Sequence, residues 1–277
     1  MSKVIFVMVD ALGYETAWAR CGYLGHLAEV GKGAVYRVRG ELPAQSRPMY
    51  ETLMTGLPAG VHGICTNDYT GASKSESLFS LARRHKKTTA AAAYKWIAEL
   101  YNGGGAFNPV TGRYQLGNQA GLIDNGIFYS VDDYPDSHLY ADGDYLRRAF
   151  RPDFLLIHPM NVDDQGHRHG RDSREYQHAA EVSLCWVSQY LDEWRRDGYD
   201  VIVTADHGMD GLGIHYGDTP SQREVPLFIF SGQVEPGNFT DHTVSQLHIA
   251  PLACALLGIE AGKGMLRPAG EIRGLVP

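Results

Sequence analysis

Acidic and imidazole side chains follow three apolar runs of this sequence. The runs lie at 4–9, 154–157 and 201–204. Asp10 comes directly after the first run, Asp163 and His167 follow the second, and Asp206 and His207 follow the third. Carboxylate and imidazole together are ligands that suit zinc and, less specifically, manganese or iron. The recurrence therefore predicts a metal site to which all three segments contribute.

The cysteines do not form a metal-binding motif. They are Cys21, Cys65, Cys185 and Cys254. Because they are far apart and no pair has the CxxC spacing, the sequence predicts neither a disulfide framework nor a thiolate zinc cluster. Any bound metal is expected to be held by oxygen and nitrogen.

Composition leaves room for such a site and excludes some partners. At 277 residues, of which 44% are hydrophobic, the chain can bury a substantial core, and we expect one catalytic domain over 1–277. The net charge of −7 and the isoelectric point near 5.9 predict neither a nucleic-acid polymer nor a membrane as the main partner. No apolar run approaches the roughly 20 residues that span a bilayer. Since the start of the chain also lacks a signal-like pattern, we expect a cytoplasmic protein, with an oligomer left open.

Strand-like and helix-like patterns alternate along the chain. The predicted strands are 3–9, 33–39, 88–93, 126–130, 153–159, 200–205 and 226–231, and the predicted helices are 49–56, 76–85, 143–149, 172–196 and 245–257. This alternation predicts an α/β fold with a mainly parallel sheet covered on both faces. Ligands of such folds collect at the carboxyl ends of the strands, where Asp10, Asp206 and His207 are expected. We interpret 102–142, which is rich in Gly, Asn, Asp and Tyr, as an excursion that lines the substrate pocket.

Ser46 offers a hydroxyl for nucleophilic chemistry. It precedes Pro48, a residue type favoured in the first turn of a helix, so the hydroxyl is expected near the N-terminus of helix 49–56. The backbone N–H groups and the dipole at such an end favour an anion. A serine hydroxyl also needs a base or a metal before it attacks at neutral pH. The other interpretation of Ser46 is a helix cap.

Five segments occur in the order seen in a known enzyme family. They are Val9-Asp10-Ala11-Leu12-Gly13, Ser46-x-Pro48 leading to Thr55-Gly56-Leu57-Pro58, Val61-His62-Gly63-Ile64, Asp163-x-x-Gly166-His167 and Thr204-Ala205-Asp206-His207-Gly208-Met209. This ordered set resembles the type I phosphodiesterase/nucleotide pyrophosphatase branch of the alkaline phosphatase superfamily. The resemblance implies an alkaline-phosphatase-like three-layer sandwich with a mainly parallel central sheet. It also implies a hydrolase of phosphate esters that forms a phosphoserine at a two-metal site.

The resemblance further implies which residues hold the two divalent ions, expected to be Zn²⁺ with Mn²⁺ as the alternative. One ion would be held by Asp163, His167 and His215, and the other by Asp10, Asp206, His207 and the oxygen of Ser46. The histidine His215 is chosen because it precedes the strand that begins Val-Pro, as the last family histidine does. His242 and His248 stay open as alternatives to it.

Three further residues are assigned to catalysis and substrate binding. Asn67 matches the family asparagine that donates to a phosphoryl oxygen, so we expect it to be catalytic. Arg47 stands where the family has an apolar or aromatic residue, and Lys95 follows another predicted strand. Both are predicted to bind anionic groups of a small phosphorylated substrate. Only eight positions separate His207 from His215, where the family commonly carries an insertion, so a much reduced cap is expected.

The same motifs leave more than one reaction open. The leading expectation is a phosphodiesterase or nucleotide pyrophosphatase. A phosphonate hydrolase resembling phosphonoacetate hydrolase is supported by Lys95 and Arg47, and a phosphomutase resembling phosphopentomutase by the short His207-to-His215 spacing. A non-catalytic binding protein is disfavoured because no ligand or nucleophile position is lost.

Overall fold

Nine β-strands form one sheet in the part of the chain that the computed structural model describes, residues 2–118, 120–267 and 270–275. The strands are β1 (Lys3–Met8), β2 (Ala34–Arg39), β3 (Thr89–Tyr94), β4 (Tyr114–Leu116), β5 (Asn125–Tyr129), β6 (Phe154–Ile157), β7 (Tyr199–Thr204), β8 (Glu224–Phe230) and β9 (Gly237–Ser245). The ends of the predicted domain 1–277 lie outside the described residues.

The strand order is β4-β5-β3-β6-β1-β7-β8-β2-β9. The five strands from β5 to β7 in this order pair in parallel, and β9 pairs in parallel with β2. Antiparallel pairing joins β8 to both β7 and β2, and β4 to β5. Only β4 and β8 therefore run against the other described strands, which confirms the predicted mainly parallel sheet.

Helices cover both faces of the sheet, as predicted for a three-layer α/β fold. They are α1 (Tyr14–Arg20), α2 (Tyr23–Glu29), α3 (Ser46–Thr55), α4 (Ala59–His62), α5 (Leu78–Arg84), α6 (Lys95–Tyr101), α7 (Asp136–Phe150), α8 (Asn161–His169), α9 (Arg174–Arg196), α10 (Pro220–Arg223) and α11 (Ile249–Leu257), with a short 3-10 helix at Gln246–His248. Helices α1, α7, α8 and α9 pack together on one face, and α3, α5 and α11 pack on the other. No described helix has the length and apolarity needed to cross a membrane.

All seven predicted strands are present, but two observed strands were not predicted. Strand β9 has a mostly polar, exposed sequence, and β4 has only three residues. Both lie at the outer edges of the sheet, where no buried face imposes apolar alternation. The segment 102–142 is also not simply an excursion, since it contributes β4, β5 and the start of α7.

The sheet brings the ends of β6, β1 and β7 side by side. Strand β1 lies between the other two and pairs in parallel with both. Asp10, His158 and Asp206 follow these three strands within two residues of the strand ends. Because parallel neighbours end at the same edge, residues almost two hundred positions apart in sequence meet there.

We expect Phe6→Ala to destabilise the whole fold. Phe6 is fully buried in the central strand β1, and its ring lies edge-on to that of Phe154 with centroids 6.4 Å apart. Removing a buried phenyl group costs about 3–5 kcal/mol of unfolding free energy. Denaturant titration measures this loss, and Val110→Ala, at a side chain that is 88% exposed, serves as the control. A loss below about 1 kcal/mol in Phe6→Ala would contradict this account of the core.

Candidate metal centre

The first ligand group joins the ends of β1 and β7. One ligand atom from each of Asp10, Asp206 and His207 lies within 4.8 Å of the others. The Nε2 atom of His207 is 3.6 Å from Asp10 Oδ1 and 3.1 Å from Asp206 Oδ2. The same Nε2 atom is 3.2 Å from the hydroxyl oxygen of Ser46. All three side chains are almost completely buried, so the group can enclose a cation with the serine oxygen at its side.

The second ligand group is built on helix α8 and the loop after β7. Asp163 and His167 are one helical turn apart on α8, so they lie on the same side of the helix. The Nε2 atom of His167 is 3.4 Å from Asp163 Oδ1, and that of His215 is 3.9 Å from the same oxygen. The loop between the strand end and His215 is short, which agrees with the expected reduced cap.

The two groups are direct neighbours. The rings of His207 and His215 stack with centroids 3.8 Å apart and planes inclined by 10°. One buried imidazole from each group thus forms the common wall between them. Two cations bound here would lie close enough to act on one phosphoryl group.

Hydrogen bonds fix the orientation of the three ligand imidazoles. The Nδ1 atoms of His167, His207 and His215 lie 2.9, 3.0 and 2.7 Å from the backbone oxygens of Gly213, Gly208 and Ala44. A carbonyl oxygen only accepts hydrogen bonds, so each Nδ1 carries the proton. Each Nε2 atom therefore presents its lone pair to the cluster, as metal-ligating histidines do.

Two of these lone pairs meet without a proton between them. The Nε2 atoms of His167 and His215 are 3.2 Å apart, and the Nδ1 contacts assign both as acceptors. Two facing lone pairs repel each other unless a cation lies between them. This contact fits a metal ion better than it fits a hydrogen bond.

The carboxylates of both groups also fit bound cations. Asp10 Oδ1, Asp163 Oδ1 and Asp206 Oδ2 are buried and have no hydrogen-bond partner among the described residues. Buried polar atoms are normally paired, because an unpaired one loses its hydration without replacement. Each of the three acidic ligands thus has one such oxygen, and the remaining buried and unpaired carboxylate oxygen of the described residues, Asp136 Oδ2, lies outside the ligand groups. The residues present therefore fit two divalent cations.

The pKa values of the three carboxyl groups are shifted in different directions. Burial and the charge of Asp10 raise the pKa of Asp163 and of Asp206 well above the ordinary range. Burial also acts to raise the pKa of Asp10, but hydrogen bonds from His158 and Tyr50 and the neighbouring imidazoles outweigh it and lower this pKa to about 2. Positive charge from bound cations would keep all three ionised.

Two side chains around Asp10 were not predicted. The hydroxyl of Tyr50 donates to Asp10 Oδ2, and His158 Nε2 lies 3.1 Å from the same oxygen. Both residues are fully buried. His158 follows the apolar run of β6 directly, in the same kind of position as Asp10 after β1. No spacing rule points to Tyr50, which lies inside the buried helix α3.

Ser46 begins helix α3, three residues earlier than the predicted helix start, and is 5% exposed. Its helix-start position agrees with the expected environment for an anion. The side-chain oxygen of Asn67 accepts from the backbone N–H of Arg47 at 2.9 Å. This bond turns the amide so that its NH₂ group is the end left for a substrate oxygen. The roles of Ser46 and Asn67 in catalysis stay predictions.

The two predicted substrate cations have different surroundings. The Arg47 guanidinium is 3% exposed, pairs with Glu99 Oε2 at 2.7 Å and lies 4.5 Å from the Trp96 ring centroid. Its charge is therefore already balanced, which weakens its assignment as an anion-binding residue. Lys95 is half-buried at the end of β3, 5.4 Å from the Tyr94 ring centroid. The predicted role of Lys95 remains compatible with this place in the fold.

His62, His242 and His248 lie outside both ligand groups in the described part of the chain. His62 Nε2 lies 3.1 Å from Thr52 Oγ1, and its Nδ1 accepts from the N–H of Ile64, so this ring fixes a turn. His242 is exposed and lies 3.1 Å from Glu271. Neither His242 nor His248 joins a ligand group within the described ranges, so geometry favours His215.

Comparison with known proteins identifies the family of the chain. The sequence model of the type I phosphodiesterase / nucleotide pyrophosphatase family matches residues 4–220. The chain is 25% identical over 260 residues to GPI ethanolamine phosphate transferase 1 of Neurospora crassa, across 79% of this chain and 25% of that protein. It is 30% identical over 141 residues to the catalytic subunit of human GPI ethanolamine phosphate transferase 3, across 50% of this chain and 12% of that protein. The chain thus spans about a quarter or less of these curated relatives.

Solved structures share the fold at low sequence identity. Murine ectonucleotide pyrophosphatase / phosphodiesterase 5, as an inactive variant in complex with AMP, superposes with a TM-score of 0.67 at 15% identity, covering 94% of this chain and 96% of that one. The alkaline phosphatase PafA gives a TM-score of 0.68 at 12% identity, covering 98% of both chains. A 2-O GAG sulfatase gives 0.71 at 12% identity, covering 99% of this chain and 75% of the other. These likenesses confirm the alkaline-phosphatase-like fold.

We expect the purified chain to bind two zinc ions in separable sites. Asp163→Asn and Asp206→Asn each remove one charged ligand from a different group, so each variant should retain one ion and lose the other. Inductively coupled plasma mass spectrometry after dialysis measures the zinc content, and Asp241→Asn, an exposed acid on β9, is the control. Two tightly held ions in both variants would contradict the ligand assignment.

Proposed function

Because the chain belongs to the type I phosphodiesterase / nucleotide pyrophosphatase family, we propose that it is a metal-dependent phosphodiesterase or nucleotide pyrophosphatase that works through a phosphoserine. The observation that carries the proposal is the contact of 3.2 Å between Ser46 Oγ and His207 Nε2. It places a hydroxyl at a helix N-terminus and at the edge of a ligand group at once.

The proposed roles follow from the chain's own groups. Asp163, His167 and His215 would hold one divalent cation, and Asp10, Asp206 and His207 the other, with zinc as the first choice. The chemistry that such cations supply is a lower pKa of the serine hydroxyl and stabilisation of charge on the phosphoryl oxygens. The Asn67 amide donates to one of these oxygens, and the N-terminus of α3 attracts the anion.

The reaction proceeds in two displacements. The Ser46 oxygen forms a bond to phosphorus while the bond from phosphorus to the leaving alcohol breaks, and the serine proton passes through solvent to the departing oxygen. Water then forms a bond to phosphorus as the serine–phosphorus bond breaks, which restores the hydroxyl. The products of a diester are one alcohol and one phosphate monoester.

A cavity beside Asn67 is consistent with a substrate that carries a small organic group. It measures about 300 Å³ and is lined by residues that include Arg47, Asn67, Tyr69 and Glu99. Since Asn67 belongs to both the cavity wall and the proposed phosphoryl site, the organic part of a substrate can extend into this space. Contacts of Arg47 and Lys95 with substrate remain part of the proposal, as do the cytoplasmic location and the oligomeric state.

A second candidate is transfer of the phosphoryl group to an alcohol instead of to water. Its support is that the matched curated relatives are named GPI ethanolamine phosphate transferases. The first displacement is the same in both reactions. In the second, an acceptor hydroxyl forms the new bond to phosphorus, and a new diester is released. This chain spans a quarter or less of those proteins. The transfer proposal therefore concerns the chemistry at Ser46 and not the identity of the acceptor.

We expect Ser46→Ala to lower kcat on bis-p-nitrophenyl phosphate by about 1,000-fold or more, because the covalent step loses its nucleophile. Steady-state assays with zinc measure the loss, and mass spectrometry of the acid-quenched wild type should find the phosphate on the Ser46 peptide. Ser188→Ala, on helix α9 outside the site, is the matched control. Activity of Ser46→Ala within about threefold of the wild type would exclude the covalent mechanism.

Acceptor competition separates hydrolysis from transfer. For a hydrolase, added ethanolamine or glycerol should leave p-nitrophenyl phosphate as the main product, because water reaches the phosphoserine without a binding site. A transferase should instead convert most of the intermediate into the mixed diester, which chromatography and ³¹P NMR detect. The same assay with phosphonoacetate and pentose phosphates ranks the phosphonate hydrolase and phosphomutase alternatives. Turnover confined to either of these compounds would overturn the diesterase proposal.

A further inference from the structure

Asp10 has two oxygen atoms with opposite surroundings. Its Oδ2 atom accepts from the Tyr50 hydroxyl and lies 3.1 Å from His158 Nε2, whereas its Oδ1 atom is buried without a hydrogen-bond partner among the described residues. The three side chains are fully buried and come from helix α3 and from the segments directly after strands β1 and β6. A carboxylate with one oxygen saturated by donors can offer only the other oxygen to a cation.

The direction of the His158 hydrogen bond follows from its second nitrogen. The backbone N–H of Tyr94 points to His158 Nδ1 at 3.5 Å, so Nδ1 is the acceptor and Nε2 carries the proton. The Tyr129 hydroxyl donates to the His158 backbone oxygen at 2.6 Å, and the Tyr50 ring lies edge-on to the imidazole at 4.7 Å. His158 is thus held from three sides with its N–H directed at Asp10.

Tyr50 links Asp10 to the nucleophile. It lies four residues after Ser46 on helix α3, one turn along the same side. The hydrogen bond from its hydroxyl therefore ties the helix that carries Ser46 to the strand that carries Asp10. A shift of α3 along or around its axis would break this bond and move the serine oxygen away from the ligand group.

We propose that Tyr50 and His158 are positioning residues that saturate one oxygen of Asp10, present the other to the metal and fix α3, so that Ser46 lies beside the ion. The inference rests on the proposed function, because it concerns the same site. Neither residue touches the reacting atoms in this arrangement.

Asp206 shows the same principle with a backbone donor. Its Oδ1 atom accepts from the N–H of Ala11 at 3.0 Å, and its Oδ2 atom is the unpaired one. Ala11 has a positive φ of 59°, a conformation that costs free energy for a residue with a side chain. The fold thus holds both acidic ligands of this group by one oxygen and leaves one oxygen of each for the ion.

The test compares the loss of a hydroxyl at Asp10 with the loss of a similar hydroxyl elsewhere. Tyr50→Phe and His158→Leu remove the two donors, and His158→Gln returns an N–H donor near the position of Nε2. Tyr199→Phe is the matched control, because Tyr199 is buried and its hydroxyl donates to the Pro152 oxygen at 2.9 Å, at the opposite end of β7 from Asp206. Isothermal titration with zinc, thermal unfolding of the metal-free proteins and kcat and KM on bis-p-nitrophenyl phosphate are measured for each.

Of the two zinc-binding steps, one should weaken about 10–100-fold in Tyr50→Phe and in His158→Leu, the usual effect of losing a donor to a metal ligand. The other step should stay unchanged, since Asp163, His167 and His215 keep their contacts. The value of kcat should fall with little change in KM, and His158→Gln should recover most of the affinity. Tyr199→Phe should lose thermal stability while both zinc steps and kcat stay as in the wild type.

Three outcomes would overturn the inference in distinguishable ways. Wild-type zinc affinity at both steps in Tyr50→Phe and His158→Leu, with an active wild type, would refute the positioning role and leave the proposed function intact. A wild-type chain that binds no divalent cation would overturn the proposed function and this inference together. Weakening of both zinc steps in Tyr199→Phe as well would show that the effect is general destabilisation.

Discussion

Uncompensated negative charge in a buried region is the constraint on which the site depends. Within the two ligand groups, three carboxylate oxygens have no donor among the described residues, and three imidazoles direct lone pairs toward them. Burial raises the pKa of Asp163 and Asp206, so the folded chain without cations would tend to take up protons there. Divalent cations held by these residues would remove this conflict, because they would supply compensating positive charge. Metal binding would therefore also stabilise this edge of the sheet.

Part of this arrangement follows from the sequence and part does not. Asp10 and Asp206 could be placed together because each follows a buried parallel strand, and such strands end at one edge. The contacts of Asp10 with Tyr50 and His158 could not be predicted, because such hydrogen bonds leave no periodic signal along the chain. Helix α8 is not among the predicted helices, although the four-residue spacing of Asp163 and His167 is that of one helical turn.

Arg47 shows why charge beside a site is hard to interpret from sequence alone. Its position next to Ser46 predicted an anion-binding residue, but its partner Glu99 lies on helix α6, 52 residues away. Glu99 also accepts from the backbone N–H of Phe107, so the pair joins the helix that carries Ser46 to the segment after α6. A long-range ion pair of this kind becomes visible only when the fold brings α3 and α6 together.

The short connection after β7 leaves little polypeptide on one side of the candidate site. Asp210 Oδ1 accepts from the N–H groups of Leu212 and Ile214 at 2.8 and 2.9 Å, and its Oδ2 atom accepts from Gln222 at 3.0 Å. These bonds close the loop into a tight turn that delivers His215 to the ligand group and leaves little chain to cover the substrate. The opposite wall is larger, since it includes the cavity beside Arg47, Asn67 and Glu99. In the proposed reaction, contacts with the organic part of the ester would therefore be concentrated on the α3 and α6 side, while the β7 side would supply ligands and orientation.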